Sequence, residues 1–514
     1  MKTFIAARPL LLAACLGSLW LTPTLFAQST NGAQSIAALR EQLDQHIDAP
    51  RFSHALWGVK IVSLDTGKVL YENHADRLMS PASNSKLYVG ALALDAIGGD
   101  HRIVTPIMAS EKPDRAGRVR GDVAIVGRGD PSWRLPVGQT NFWDVFERFV
   151  SALTNAGIRR ITGDLIADAS WFQSPPNGSG WTAGDLEETE GAEISALTLL
   201  DNLAVLEIRP GATIGAPARA ALRFPHTGLA IDNRVVTQTN SGPAYVEVRR
   251  IFSENTLRVF GTVPPGTNVV IEVPVPRPAQ WFANALKEAL QRRGIRVDGT
   301  ARSVRWPEPS PVAAHWTELA SITSPPMRDL VRDFMKPSQN LETDLIFGYV
   351  GERLRRPGTP AWRTTEQLAV DALEAFLQTN ALPIRELKFE EGSGLSRNNL
   401  VTANLTVGLL QVMARHPAAN DFLTSLPVAG VDGTLRRRMK GTPAEGNVRA
   451  KTGTLRWVNA LSGQVTTAAG ERLAFSLLLN RNVAAPGRSG RDELDAVAVM
   501  LSRFAVRSAE PTSH

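Results

Sequence analysis

The sequence predicts an α/β (α+β) protein, in which an antiparallel sheet with helices is assembled from the two ends of the chain around an inserted β-rich region. Three observations carry this expectation. Strand-like runs lie near both ends of the chain, with a helix closing the C-terminal side. From about residue 101 to 308 the pattern changes to short alternating strands punctuated by proline and glycine. Beyond it, the segments 317–351 and 362–378 read as strongly helical. At 514 residues, 43% hydrophobic and 21% charged, the chain has the length of about three domains and can bury a sizeable core. That composition excludes collagen-like and broadly disordered classes.

Taken in order, Lys2 and Arg8 precede an apolar stretch over 10–26, followed by Ala27 and a polar run. This reads as a secretory signal peptide over 1–27, and it predicts an exported, periplasmic protein. Leu12-Ala13-Ala14-Cys15 also fits a lipoprotein cleavage box, although apolar sequence continues past Cys15. Whether Cys15 is lipidated, with a peripheral hold on the membrane, stays open. Cys15 is the only cysteine, so a mature chain has no thiol for a disulfide, a zinc–thiolate site or a nucleophile.

Apolar residues at helical spacing (Ile36, Leu39, Leu43, Ile47) predict a helix over 35–47. Strands over 55–63 and 69–71 flank the hairpin signal Asp65-Thr66-Gly67. A Leu/Ala-rich helix over 86–97 stops at Gly98-Gly99. At the far end, 461–466 and 473–479 read as paired strands, and 491–506 as a helix with Leu494, Val497, Ala498, Leu501 and Phe504 on one face. Within the middle region, 149–164 and 282–299 resemble each other. Each is an amphipathic helix followed by Gly-Ile-Arg and a short strand, an arrangement common enough to need no repeat.

The charge balance is 56 basic against 50 acidic residues, and the longest basic run is Arg436 to Arg438. A basic surface that dispersed gives no footprint for nucleic acid. Only 10 of the basic residues are lysines, so each lysine motif is informative. Lys86 alone has a serine three residues before it, Ser83; that spacing is nearly one helical turn and brings both heads to one face. A serine hydroxyl needs a neighbouring base, which a lysine with a depressed pKa can be. The plain alternative is an N-capping serine and a solvated lysine. Lys451 alone is followed by Thr-Gly, in Lys451-Thr452-Gly453-Thr454 ahead of strand-like sequence. A cation, a hydroxyl and a glycine on a strand edge can take a carboxylate and admit a close backbone. Its alternative is a lysine guarding an edge strand. Ser338-Gln339-Asn340 lies between helical segments; Ser-x-Asn recurs at Ser29, Ser253 and Ser396, so context and order select it. The histidines offer no metal-binding pair, and neither a metal nor another cofactor is expected.

Ser-x-x-Lys, Ser-x-Asn and Lys-Thr-Gly in this order form a known serine acyl-transfer constellation. With them the chain resembles the penicillin-recognising enzymes, specifically the type-4 (class C, low-molecular-mass) penicillin-binding proteins. Further matching segments include Gly127-Arg128-Gly129-Asp130-Pro131, Asp168-Ala169-Ser170, Gly392-Ser393-Gly394-Leu395-Ser396 and Asp432-Gly433-Thr434-Leu435. The 255 residues from Ser83 to Ser338, against 113 from Ser338 to Lys451, resemble this group's inserted domains rather than compact serine β-lactamases. Two departures are Gln339 and Glu391, where the family often has aspartate.

The resemblance implies a transpeptidase/β-lactamase-like fold and D-alanyl-D-alanine carboxypeptidase or endopeptidase activity. Its substrates would be peptidoglycan stem peptides ending in D-Ala-D-Ala, and β-lactam antibiotics would acylate it. It implies Ser83 as nucleophile, Lys86 as base and Ser338 as proton relay. Asn340 would hold the substrate amide, Lys451, Thr452 and Gly453 the carboxylate, and the amides of Ser83 and Thr454 the oxyanion. Asp168 matches a position that can reach a substrate amine; an aspartate capping a turn is its alternative. The expected division is a discontinuous catalytic domain over 28–100 and 309–508, an inserted region over 101–308 forming two subdomains, and a disordered tail over 509–514. A β-lactamase-like hydrolase and a non-catalytic peptidoglycan-binding scaffold are the competing classes, and the oligomeric state stays open.

Overall fold

The computed structural model describes residues 32–508, apart from 136–137, 240–241, 252 and 485. The signal segment 1–27, with Cys15, and the tail 509–514 lie outside the described residues. Two compact units emerge: Ala204–Val273 with Gly32, and the rest of the described chain from Ala33 on.

A five-stranded antiparallel sheet joins the two ends of the chain. Its order is Arg449–Leu455, Val458–Thr466, Arg472–Asn480, Leu56–Ser63, Val69–Asn73. The joint is the pairing of Leu56–Ser63 with Arg472–Asn480, in register from Leu56 opposite Asn480 to Ser63 opposite Leu473. Period-two alternation then sends successive side chains to opposite faces. Leu473, Phe475, Leu477 and Leu479 pack with Leu39, Leu43, Leu494 and Val497, on the helices Ile36–Ile47 and Gly490–Arg503. Ala474 and Leu478 face the other way, among residues of the helices Ser85–Ala96 and Ala403–Arg415. Leu478 has no solvent exposure. Leu478→Ala is therefore expected to cost about 2–5 kcal/mol through lost transfer energy and a cavity. Urea denaturation checks this by a lower midpoint at an unchanged slope.

The inserted region contributes a second five-stranded sheet, ordered Ala301–Val304, Leu165–Asp168, Val123–Val126, Arg102–Ala109, Thr317–Pro326. The last strand corrects the helical expectation for 317–351: helix begins only at Met327, and the chain before it pairs antiparallel with Arg102–Ala109. Thr317, Ile322 and Thr323 are β-branched, and Pro325 and Pro326 bar a helix from starting earlier. The boundary expected at 308/309 accordingly cuts this sheet, whose last strand runs to Pro326. The two Gly-Ile-Arg segments are structural partners. Gly157 and Gly294 each take positive φ after a helix (Glu147–Asn155 and Pro278–Arg292), and Arg160–Ile161 and Arg296–Val297 pair in parallel.

The unit Ala204–Val273 is β-rich by itself. Ala230–Thr237, Thr256–Val263 and Tyr245–Arg250 form one three-stranded sheet with Thr256–Val263 at its centre. Among the described residues no helix is long and apolar enough to cross a membrane.

Candidate active site

Ser83 does not sit on the α-helix itself. A single 3-10 turn, Ala82–Asn84, leads into the helix Ser85–Ala96, whose first residue is one ahead of the predicted start. The three-residue spacing still works across the junction, because Lys86 Nζ donates to Ser83 Oγ at 3.0 Å. Ala82 carries φ +46°, a left-handed conformation costing on the order of 1–3 kcal/mol away from glycine. Neighbouring groups hold it there. Asn84 Nδ2 donates to Ser462 Oγ on the first sheet at 2.7 Å, and that hydroxyl continues to Ser476 Oγ at 2.9 Å. Two glycines allow the close approach. A Cβ on Gly394 (φ +83°) would meet the Ala82 carbonyl oxygen at 2.0 Å, and one on Gly453 would meet that of Pro81 at 2.5 Å.

Lys86 is completely buried. Besides Ser83, its Nζ donates to Asn340 Oδ1 at 2.7 Å and to the Ser393 carbonyl at 2.6 Å. Burial pushes its pKa down to about 8, while Asp344, Glu391 and Glu190 support its charge. Asn340 opens the helix Asn340–Leu354, and its Nδ2 donates to the Glu190 carbonyl at 3.2 Å, which fixes Oδ1 toward Lys86. In this arrangement the Asn340 amide orients the lysine.

Ser338 lies between the helices Met327–Met335 and Asn340–Leu354, with φ +72°. Its Oγ accepts from Lys451 Nζ at 2.7 Å, a contact across 113 residues of sequence. Lys451 is completely buried on the strand Arg449–Leu455 and also donates to the Thr452 carbonyl at 2.9 Å. Burial, with Lys86 nearby, pushes its pKa well below the ordinary lysine value. Thr452 Oγ1 donates to Thr434 Oγ1 at 2.8 Å, and Thr454 is exposed. Because Arg449–Leu455 is the edge of its sheet, part of its backbone hydrogen-bonding row is available to an added extended chain.

The structure thus gathers Ser83, Lys86, Ser338, Asn340, Lys451, Thr452 and Gly453 from three separate segments. Asp168, the position that the resemblance lets reach a substrate amine, is held by serines of its own turn and of a neighbouring loop rather than by any of these groups. Its side chain is 1% exposed, Oδ1 accepts from Ser170 N at 3.0 Å and Ser170 Oγ at 2.6 Å, and Oδ2 accepts from Ser310 Oγ. This is the turn-capping alternative, with both carboxylate oxygens taken. Asp130 likewise caps Ser132 N at 2.8 Å. No cluster of three or more His, Cys, Asp or Glu side chains suited to a metal ion occurs among the described residues.

The D-Ala-D-Ala carboxypeptidase 3 (S13) family matches residues 39–501. The chain belongs to that family. It is 34% identical over 519 residues to the D-alanyl-D-alanine carboxypeptidase of Actinomadura sp. (strain R39), covering 98% of this chain and 90% of the relative. Among solved structures, penicillin binding protein 4 of Haemophilus influenzae superposes with a TM-score of 0.75 at 24% identity, over 89% of this chain and 97% of that one. The same protein complexed with a β-lactam gives a TM-score of 0.71 at 22% identity, with the same coverage. The fold is that of the type-4 penicillin-binding proteins, and the protein is an enzyme of the D-Ala-D-Ala carboxypeptidase class.

Several groups in this enzyme's site carry weak sequence signals. Thr434 stood in a matching segment with no role attached, and Glu391 stood only as a departure from the family pattern. Asp344 follows Asn340 by four residues, so helical spacing alone could have placed it beside the site. Ser393 contributes a main-chain carbonyl, for which a side-chain pattern gives no signal.

Proposed function

We propose that this carboxypeptidase works through an acyl-enzyme on Ser83, with Lys86 as the general base, on peptidoglycan stem peptides ending in D-Ala-D-Ala. The observation that carries the reading is the pair of acceptors around Lys86. The Asn340 Oδ1 and Ser393 carbonyl oxygens can only accept. A neutral Lys86 satisfies them with its two N–H groups, and its lone pair is then left for the Ser83 hydroxyl at 3.0 Å. That geometry is what a base activating a serine requires.

Ser83 Oγ attacks the carbonyl between the two D-alanines while its proton passes to Lys86. The amides of Ser83 and Thr454 support the oxyanion, typically the largest electrostatic contribution to such a reaction. Lys451 and Thr452 bind the terminal carboxylate, whose charge restores that of the buried Lys451. Gly453 admits the Pro81 carbonyl beside the strand and so keeps the Ser83 turn close to the sheet edge. Ser338, hydrogen-bonded to Lys451, relays a proton to the leaving D-alanine nitrogen. Water then attacks the ester and releases the shortened peptide. The same acyl transfer opens a D-Ala cross-link, which is the endopeptidase activity, and penicillin acylates Ser83 as a substrate mimic. The apolar segment at 10–26 supports export, and the proposed compartment is the periplasm.

Fluorescent-penicillin labelling together with D-Ala release tests this reading. Stable stoichiometric labelling and release of D-alanine are expected; a folded wild type that does neither would falsify it, and rapid penicillin turnover would favour a β-lactamase. A pH dependence follows as well. Lys86 acts in its neutral form, and its pKa is about 8. The acylation rate is therefore expected to rise about tenfold per pH unit below that value and level off above it. A stopped-flow profile flat between pH 6 and 8 would remove Lys86 as the base.

A further inference from the structure

One helix start supplies both of the acceptors that orient Lys86, one directly and one through a neighbouring turn. Asn340 gives Oδ1 itself. Asp344, about one helical turn later, is buried, and its Oδ1 accepts the N–H groups of both Gly392 and Ser393 at 2.9 Å. The Ser393 carbonyl of that turn is the oxygen that Lys86 meets at 2.6 Å. Glu391 secures the turn's other side, accepting from Ser393 N at 2.9 Å, Gly394 N at 2.8 Å and Asn399 Nδ2 at 2.9 Å. Asp344 Oδ2 is buried with no hydrogen-bond partner among the described residues, so the hold on the turn runs through Oδ1.

We propose that Asp344 is a positioning residue for acylation: it fixes the turn at Gly392 and Ser393 so that the Ser393 carbonyl binds one Lys86 N–H and the lysine lone pair stays aimed at Ser83. The proposal rests on Lys86 being the base. Without this hold, Gly392 N loses its side-chain acceptor and Ser393 N keeps only Glu391, so the turn is held from one side and the Ser393 carbonyl shifts against the lysine. Misplacement of a reacting group by about 1 Å can cost on the order of a hundredfold in rate.

The charged groups around this pair are few. Lys86 is faced by Asp344 from the helix, Glu391 from the turn and Glu190 from the loop that carries the Asn340 contact, with Lys451 on the sheet side. Asp344 is faced by Glu391, Lys86 and Glu366. Burial first, then Glu391, raises the Asp344 carboxyl well above the ordinary carboxylate range. A protonated carboxyl still accepts at Oδ1, and an asparagine amide reproduces that neutral acceptor closely.

The test compares wild type, Asp344→Asn and Asp344→Ala by the rate and concentration dependence of fluorescent-penicillin acylation, normalised to the fraction that finally labels. Asp344→Asn is expected within about threefold of wild type. Asp344→Ala is expected to be slower on the order of thirtyfold, with its half-saturating penicillin concentration unchanged. Rescue by asparagine and a loss confined to the rate step separate positioning from a general loosening of the fold. Should Asp344→Ala not fold, Asp344→Ser replaces it, its hydroxyl being too short to reach both amides, with the same slowing expected. Wild-type speed in either truncation, or an Asp344→Asn enzyme as slow as Asp344→Ala, overturns the assignment alone. A folded wild type that does not label overturns the acyl-enzyme reading, and this inference with it.

Discussion

Ser83→Ala is expected to abolish penicillin labelling and to lower D-Ala release by about 10⁴- to 10⁶-fold, the scale of removing a nucleophile from an acyl-transfer enzyme. The substitution deletes one oxygen from a partly exposed side chain, whose Oγ accepts from Lys86. The fold is expected to survive it, with a stability change within about 1 kcal/mol. Electrophoresis of the labelled protein and intact mass spectrometry give the readout. A covalent penicilloyl adduct on the folded variant would move the nucleophile elsewhere, with Ser338 and Ser393 the first serines to examine. Residual slow release without an adduct would instead reflect the oxyanion site and substrate binding acting on water.

Lys86→Met gives the second large effect and a different signature. Methionine is unbranched and flexible, so it fills most of the buried space without the amine. Removing a general base costs on the order of 10²- to 10⁴-fold. Because Ser83 remains, labelling is expected to proceed slowly to completion, whereas Ser83→Ala never labels. The rise in rate toward pH 8 should also vanish, since the group that titrates there is gone. The substitution leaves the Asn340 Oδ1 and Ser393 carbonyl acceptors without the lysine donor. Each buried orphan costs about 1–3 kcal/mol, so a lower melting temperature is expected alongside the slow chemistry. An unchanged acylation rate and pH profile would show that another group takes the Ser83 proton.

Local pattern made the first sheet legible. The strands near residues 56–63 and 472–480 read as largely continuous apolar runs because one face packs on the two terminal helices and the other on the helices Ser85–Ala96 and Ala403–Arg415. The Ser83–Lys86 pair was legible for the same reason: three residues of near-helical chain fix its geometry, and it closes at 3.0 Å even though the chain there is a 3-10 turn. The strand Thr317–Pro326 reads as helical in isolation because its stabilisation comes from Arg102–Ala109, distant in sequence, and because its own alternation is carried largely by Ser, Thr and Pro. Asp168 shows the converse. Its motif pointed toward substrate, and only its surroundings reveal that Ser170 and Ser310 occupy both oxygens.

The sequence by itself determined which chemistry is available: a serine with a lysine one turn away, a second rare lysine on a strand, and no thiol beyond Cys15. Those are properties of residue type and short spacing, which survive in any fold that keeps the local turn. Tertiary structure alone decided what surrounds the two lysines. Lys86 Nζ meets a carbonyl at Ser393 and the Asn340 amide oxygen, and Lys451 meets Ser338. These contacts join segments far apart in the chain inside a buried space, where an unsatisfied polar group is costly and each donor is driven to one partner.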